Sequence, residues 1–443
     1  MSVATHAANP RHQRPARYWV AVALAGVLLL VLVGSSAVNY LSLDQIQNRG
    51  AFLGLPAVAL VAGATWVGLR ALERGRAVRR RYQLWAVTLL ALALLLWLLV
   101  LDVFLFTQEA GPLVAALSAL ACLPTTGFGL WVIHLLDRDE KEPWRLVLVA
   151  TAWGAIVATS LVIWAEGVFQ FWSVNALVPG PGLDASNAFS AGLFEEVAKG
   201  IAVLLLYLVM RDEFHDVVDG IVYGAAVGLG FNFMESVGYM TYLYSLFGPY
   251  AAGFQWYHRQ VLDLFFGHAT FTALLGAGIG IARQLPSRRQ RVVAIACGFL
   301  AAIAAHFAWD AWLTFFPLGT GAGTLVQIHL RVLAMSGPFT AVVVVLLVMG
   351  GRIEGRNLAR QLALEAANGS GAIDPEEAPI LASPGRRLRA RLAAGRDYFK
   401  VGRLQRAQIA LALERWHRER QELDRPLAAE QELRDHVLAL RAQ

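Results

Sequence analysis

Apolar runs of about 20 residues, separated by short polar loops, fill the first 350 residues of the chain. This pattern is typical of a protein that crosses a membrane repeatedly. We predict an all-α polytopic membrane protein with about ten transmembrane helices. The predicted helices lie at residues 18–38, 51–69, 84–107, 112–136, 146–169, 188–210, 218–243, 261–282, 292–315 and 332–350.

The distribution of basic residues orients these helices, because short cytoplasmic loops are enriched in Lys and Arg. With the N-terminus inside, the cytoplasmic segments before Gly350 hold 17 Lys and Arg residues, and the outer loops hold 3, namely Arg49, Arg259 and Arg331. We therefore predict that both termini are cytoplasmic. The net charge of +6 follows this topology, so we infer no nucleic-acid partner.

Composition agrees with a membrane protein. Hydrophobic residues make up 57% of the chain and charged residues 16%, whereas a soluble domain carries about 25% charged residues. Cys122 and Cys297 both fall in apolar runs, which indicates neither a disulfide framework nor a cysteine metal site. The first apolar run is longer than the core of a signal peptide, so we interpret it as a signal anchor.

The chain changes character after Gly350. Residues 351–366 and 386–440 have helical spacing, whereas Gly, Ser and Pro at 367–385 predict a flexible linker. We predict a helical cytoplasmic tail. Three roles are open for it: it is a solvated appendage, it binds anionic lipid headgroups, or it docks a cytosolic partner. The regions are 1–17, a cytoplasmic segment; 18–136, N-terminal transmembrane helices; 137–350, a core with polar motifs; and 351–443, the tail with its linker at 367–385.

Four polar motifs interrupt the apolar runs of this core. A central Asp, Glu, Lys or Arg that faces lipid costs about 2.5–3.5 kcal/mol on insertion scales. These side chains must therefore face one another or water, and the default interpretation is a functional site inside the membrane. The motifs are Glu195-Glu196-Val197-Ala198-Lys199, Phe231-Asn232-Phe233-Met234-Glu235, His268, and His306-Phe307-Ala308-Trp309-Asp310.

The predicted topology puts the four motifs at one depth. Glu195, Glu235, His268 and His306 lie 14 to 17 residues from the cytoplasmic ends of their helices. These counts correspond to about 21–26 Å in a hydrocarbon core about 30 Å thick. We therefore predict that the motifs form a single site in the outer leaflet.

Spacing within the motifs indicates a chemistry. Residues three or four apart share a helix face, so Lys199 can reach both glutamates of its motif, of which only one can point at the site centre. Asp310 follows His306 by one turn and could orient its imidazole, while Phe231 would exclude water. Two carboxylates with two histidines suit the activation of water, by a general base or through a bound metal.

In their order and spacing, the four motifs closely resemble those of the PrsW family of intramembrane proteases, within the wider group that includes the CAAX prenyl endopeptidases. The resemblance covers about residues 125–315 and leaves the N-terminal helices and the tail uncovered. Lys199 and Glu235 favour PrsW, because prenyl endopeptidases usually carry Arg and His there. Ser236 departs from the Asn often seen after the glutamate, which weakens any role for that neighbour.

The resemblance implies an intramembrane protease of a bacterial plasma membrane that cuts a membrane-anchored protein on the extracytoplasmic side. In the family, that protein is typically an anti-sigma factor, and the cut is the first of a cascade. The implied catalytic residues are Glu195, Glu196, Glu235, His268, His306 and Asp310, with Lys199 and Phe231 in support.

The resemblance leaves the mechanism open. Either glutamate of the first motif would be the general base, and Asp310 would orient His306 or stabilise the oxyanion. Glu235, His268 and His306 would either ligate a divalent metal, with zinc the first choice, or position the water. The family is classed with the metallopeptidases, whereas its prenyl endopeptidase relatives are also interpreted as glutamate-dependent.

Two other classes of function also use buried ionisable residues. A proton- or cation-coupled transporter would show proline-broken helices and an inverted repeat, and the predicted motif helices contain no proline. A non-catalytic scaffold would be expected to have lost a motif. The first motif alone could also be a structural ion pair. We interpret the neighbouring glycines as sites of close helix packing: Gly224, Gly228, Gly230, Gly276, Gly278 and Gly280.

Overall fold

The computed structural model describes residues 110–137, 141–169, 181–210, 214–315, 323–419 and 427–442. The helices predicted at 18–38, 51–69 and 84–107 lie outside these residues. Within them the chain is all-helical, as predicted. The chain divides into two compact units: Met1–Leu101 with Leu204–Arg211, and Asp102–Val203 with Asp212–Gln443. All contacts described below belong to the second unit.

Eight helices form the core of the described chain, and three of them contain a π-helical turn. Their bounds are α1 Pro112–Leu136; α2 Trp144–Ala152, continued by the π turn Trp153–Ala158 and by Thr159–Phe169; α3 Pro181–Val209; α4 Val217–Phe247; α5 Pro249–Trp256 with the π turn Tyr257–Leu262; α6 His268–Gln284; α7 Arg288–Phe315; and α8 Gly323–Arg331, Val332–Ser336 (π) and Gly337–Ala367.

Five stretches of the described chain are long and apolar enough to cross a membrane: Pro112–Leu136, Trp144–Ile163, Val217–Phe247, Arg288–Trp312 and Gly323–Ala367. Two predicted spans are not among them. The span predicted at 261–282 is shorter in the structure. Its helix begins at His268, because the π turn Tyr257–Leu262 occupies the start of the predicted range. In place of 188–210, α3 is 29 residues long but carries the charged first motif.

Helix α4 is the centre of this core, and 94% of the residues in its membrane-spanning stretch are buried. Glycines one turn apart let it approach α6 backbone to backbone. A Cβ atom added at Gly224 would overlap the carbonyl oxygen of Thr272, and one added at Gly228 would overlap that of His268. On the opposite side, a Cβ at Gly230 would overlap the carbonyl oxygen of Thr151 on α2.

A capping box fixes where α4 begins. The Val218 N–H donates to Asp216 Oδ1 at 2.7 Å, and Asp219 Oδ2 accepts from the Asp216 N–H at 3.2 Å. These bonds satisfy amide groups that the first helical turn would otherwise leave unpaired. They set the rotation of α4, and hence the face on which Phe231 and Glu235 lie.

The tail folds onto the end of α8. Its helices are α9 Ala378–Leu381, α10 Pro384–Ala393, α11 Tyr398–Glu419 and α12 Leu427–Arg441. Leu358 and Leu362 of α8 pack with Ile373, Leu411 and Val437 in a buried cluster, the tail core. The Glu365 carboxylate is buried beside it and binds Arg434 Nε at 2.7 Å and the Arg415 guanidinium.

The stretch 367–385 differs from the flexible linker that its composition predicts. Ala372 and Ile373 are buried in the tail core, and the Ala372 carbonyl accepts bonds from Gln408 Nε2 at 3.0 Å and from Arg441 Nε at 3.2 Å. The few apolar residues of this stretch are therefore the ones that anchor it. Composition could not reveal this, because their partners are distant in sequence.

The α4–α6 contact gives a test of the fold. Gly224→Ala should lower the free energy of unfolding by about 1–3 kcal/mol, because the added methyl group forces the two backbones apart. The matched control is Gly127→Ala on α1, where an added Cβ would meet nothing within 4 Å. Thermal unfolding in detergent measures both variants. Equal midpoints for the two would contradict the close contact.

Candidate functional site

The structure brings the four motifs together, and the ammonium group of Lys199 lies at their centre. Lys199 is fully buried, and its Nζ contacts Glu196 Oε1 at 2.7 Å and Glu195 Oε2 at 3.2 Å. Both contacts follow from the helical spacing of the motif on α3. Nζ also lies 3.0 Å from His268 Nδ1 and 4.1 Å from the centre of the Phe231 ring.

His268, the first residue of α6, connects Lys199 to Glu235. Its Nε2 lies 2.6 Å from Glu235 Oε2, and its Nδ1 faces the Lys199 ammonium. An ionised carboxylate can only accept a hydrogen bond and an ammonium can only donate one. These partners therefore assign the proton to Nε2 and leave the lone pair on Nδ1.

His306 on α7 lies among three carboxylates. Its Nδ1 is 3.0 Å from Glu196 Oε1, and its Nε2 is 3.5 Å from both Glu195 Oε2 and Asp310 Oδ2. Both ring nitrogens thus face groups that accept hydrogen bonds. The ring is suited either to the imidazolium form or to a cation at Nε2 with a proton on Nδ1.

The two adjacent glutamates have different surroundings. Glu196 is fully buried and is held by Lys199, by His306 and by Thr272 Oγ1 at 3.1 Å. Glu195 Oε2 lies between the two imidazoles, 3.5 Å from His306 Nε2 and 3.7 Å from His268 Nδ1. Glu195 is thus the glutamate that points at the site centre, which spacing alone could not decide.

Glu195, His268 and His306 form a group that could hold a metal ion, with one ligand atom from each residue and all three atoms within 4.8 Å of one another. Tetrahedral zinc with bonds of about 2.1 Å separates its ligand atoms by about 3.4 Å, close to the 3.5 and 3.7 Å observed here. The ligand set that the resemblance implied had Glu235 in place of Glu195. In the structure Glu235 binds the far nitrogen of His268 instead.

Arg259 is a site residue that sequence reasoning missed, because it was assigned to an outer loop. It lies in the π turn Tyr257–Leu262, and its Nη2 is 2.5 Å from Glu235 Oε2. Its guanidinium also lies 4.4 Å from the centre of the Tyr239 ring. A signal was present in the sequence: Glu235 has no basic partner on its own helix, so a buried partner had to come from another segment.

A polar network joins the Arg259 turn to α4 and α1. Asn232 Nδ2 donates to the Arg259 carbonyl at 3.1 Å, and Gln260 Nε2 donates to Ser236 Oγ at 2.9 Å. Gln260 Oε1 accepts from Thr125 Oγ1 at 2.7 Å. Ser236, for which the resemblance weakened any role, therefore helps to hold the turn that carries Arg259.

The side chains of Glu235 and Asp310 are the more accessible parts of the site. They are 18% and 26% exposed, whereas the Glu195 and His306 side chains are 9% and 2% exposed. Phe231 is buried against His268, with ring centres 5.0 Å apart. Phe231 covers that side of His268, so the approach to the site runs past Glu235 and Asp310.

The Arg259–Glu235 pair gives a test of this geometry. Arg259→Gln should lower the free energy of unfolding by about 3–5 kcal/mol, because it leaves a buried carboxylate without its cation. The double variant Arg259→Gln/Glu235→Gln should lose less than the sum of the two single variants. Thermal unfolding in detergent measures the cycle, with the exposed Arg289→Gln as control. Strict additivity would show that the two groups do not interact.

Comparison with known proteins places the four motifs in a family. Residues 142–349 match the family described as PrsW family intramembrane metalloproteases. Protease PrsW of Geobacillus kaustophilus (strain HTA426) is 29% identical over 161 residues, which cover 35% of this chain and 63% of that protein. No solved structure matches the chain. All four motifs lie inside the matched segment, so the part of the chain that carries the site is similar to the PrsW family of intramembrane metalloproteases.

Proposed function

We propose that this protein hydrolyses a peptide bond in a membrane-anchored protein. The observation that carries the proposal is the convergence of Glu195, His268 and His306 on one buried point. Lys199 and Glu196 form a buried ion pair beside this point. An ionised carboxylate beside two imidazoles is a known arrangement for activating water. Buried groups of this kind in a membrane segment are functional by default.

Glu195 is the proposed general base. Its Oε2 lies within 3.7 Å of one nitrogen of each histidine, so a water molecule held by the imidazoles is within reach of the carboxylate. Glu195 takes a proton from this water as it attacks the peptide carbonyl, and then returns the proton to the leaving amine. The Lys199 ammonium, 3.2 Å from Glu195 Oε2, favours the ionised form of this carboxylate.

The other polar residues position these groups. Glu196 holds the Nδ1 side of His306, and Glu235 holds the Nε2 side of His268, so that the remaining nitrogen of each ring faces Glu195. Carboxylates that hold the outer nitrogen of a histidine fix its tautomer and raise its basicity. Arg259 keeps Glu235 in place, and Asp310 faces His306 from the accessible side.

The same residues fit a divalent metal. The side chains linked by these contacts carry four carboxylates, from Glu195, Glu196, Glu235 and Asp310, against the permanent cations of Lys199 and Arg259. With all four carboxylates ionised and His306 neutral, a divalent ion would balance the two excess negative charges, and the nitrogen and oxygen donors suit zinc. In a metal-bound form, Glu195, His268 and His306 would hold the ion, and Glu195 acts as the base described above in the form without metal. When bound, zinc lowers the pKa of a coordinated water and polarises a carbonyl.

The proposed substrate is a single-pass protein of the anti-sigma factor type, cut first near the extracytoplasmic face. Support comes from the depth of the motifs in the outer leaflet under a topology with both termini in the cytoplasm. A bacterial plasma membrane is the proposed location. The exposed edges of Glu235 and Asp310 offer a way in for an extended segment of such a substrate.

The two glutamates can be separated by activity. Glu195→Gln should lower cleavage of a co-expressed single-pass substrate by about 10²–10⁴-fold, because the amide cannot accept the proton from water. Glu196→Gln should lower it less, since the amide still supports His306. The exposed tail variant Glu376→Gln should cleave normally. Full activity of Glu195→Gln, at normal abundance in the membrane, would refute its role as the base.

Metal analysis tests the zinc site. Purified protein should contain about one zinc per chain, and His268→Ala or His306→Ala should abolish binding. Glu235→Gln should weaken binding by about 10–100-fold, because it only orients His268. The exposed His436→Ala is the control. Metal-free protein that cleaves at the full rate in the presence of a chelator would establish the glutamate-dependent mechanism instead.

A further inference from the structure

One surface of the tail is both strongly basic and apolar. It consists of α10 and the first turns of α11, residues 384–406, a segment that contains a single acidic residue, Asp397. Its exposed basic residues are Arg386, Arg389, Arg396, Lys400, Arg403 and Arg406. Three large apolar side chains are exposed on the same segment: Leu388 by 48%, Leu392 by 63% and Phe399 by 77%. We call this segment the basic surface.

The inner face of α10 explains why these leucines are exposed. Gln405 of α11 accepts a bond from Arg391 Nε at 2.6 Å and donates to the Arg387 carbonyl at 3.4 Å. Arg387 and Arg391 are one turn apart, so polar contacts hold that face of α10 against the tail. Leu388 and Leu392, also one turn apart, lie on a neighbouring face and do not enter the tail core. A water-soluble helix would more often turn its leucines inward.

We propose that the basic surface binds anionic lipid headgroups. Clustered basic residues beside exposed Leu and Phe are the composition of a helix that lies in a membrane interface, with cations at the phosphates and apolar side chains among the acyl chains. The positive charge of the basic surface is complementary to the negative charge of an anionic membrane. A purely solvated appendage needs none of the three exposed apolar side chains.

The tail is also held close enough for this contact. Leu358, where the tail core begins, follows Gly350 at the end of the predicted span by eight residues on one continuous helix. At 1.5 Å per residue this separation is about 12 Å, comparable with the Debye length of about 8–10 Å. Attachment through α8 therefore holds the tail core, on which α10 and α11 are built, close to the headgroups, whether or not the protein cleaves a substrate.

The test places a fluorophore on the basic surface of the full-length protein in nanodiscs. Leu392→Cys, in a Cys297→Ser background, is labelled with an environment-sensitive dye. Cys122 is buried, and the unsubstituted background measures any labelling there. We expect a blue shift of the emission in discs containing phosphatidylglycerol and not in discs of phosphatidylcholine alone. High salt should reverse the shift, because counterions screen the attraction.

Two variants make the result specific. Leu438 on α12 is apolar and 37% exposed, and a dye attached through Leu438→Cys should give the same emission in both lipids. Adding Arg386→Gln, Arg389→Gln and Arg396→Gln should abolish the shift at Leu392 while circular dichroism stays unchanged. A dye that reports water in anionic discs would overturn the proposal. So would a shift that is independent of lipid charge, or one that appears only when a soluble protein is added.

Discussion

The fully buried ammonium of Lys199 is the constraint around which the site is organised. A cation without water must be surrounded by groups that accept its hydrogen bonds, and here they come from different helices: Glu195 and Glu196 on α3 and His268 on α6. The Phe231 ring on α4 covers the remaining side. Losing either glutamate would remove counter-charge from the ammonium in a medium of low dielectric constant, and losing His268 would remove a hydrogen-bond acceptor. Lys199 therefore ties the helices into one arrangement, although it is not the group that acts on water.

From Lys199 the charges alternate outward along two branches. One runs through Glu196 to His306 and ends at Asp310, and the other runs through His268 to Glu235 and ends at Arg259. In each branch, a carboxylate holds one ring nitrogen of the histidine, Glu196 at His306 Nδ1 and Glu235 at His268 Nε2. The other nitrogen of each ring faces Glu195, and it also contacts Asp310 in His306 and Lys199 in His268. The asymmetry between two adjacent glutamates is thus a consequence of their neighbours, since the residues themselves are chemically identical.

Much of this site could be predicted from the sequence, because helical spacing and depth are local properties. Lys199 with its glutamates, His306 with Asp310, and the common level of the four motifs all follow from 3.6 residues per turn. Arg259 could not be placed, because a π turn starting at Tyr257 changes the direction of its side chain and shortens the helix that follows. The order in 367–385 was hidden for a similar reason, since it depends on contacts with residues about 35 to 70 positions away.

The start of α6 at His268 joins the packing of the fold to its chemistry. Gly228 lies against the His268 carbonyl, so α4 and α6 are still in backbone contact where α6 begins. Glu235 follows Gly228 by about two turns, on the side toward which the first turn of α6 opens. The N-terminus of a helix carries a partial positive charge, which favours a nearby carboxylate and does so more strongly away from water. The predicted helix 261–282 would have begun about two turns before His268, and its N-terminal partial charge would then have been further from Glu235. The shortened helix is therefore part of what holds the Glu235–His268 pair together.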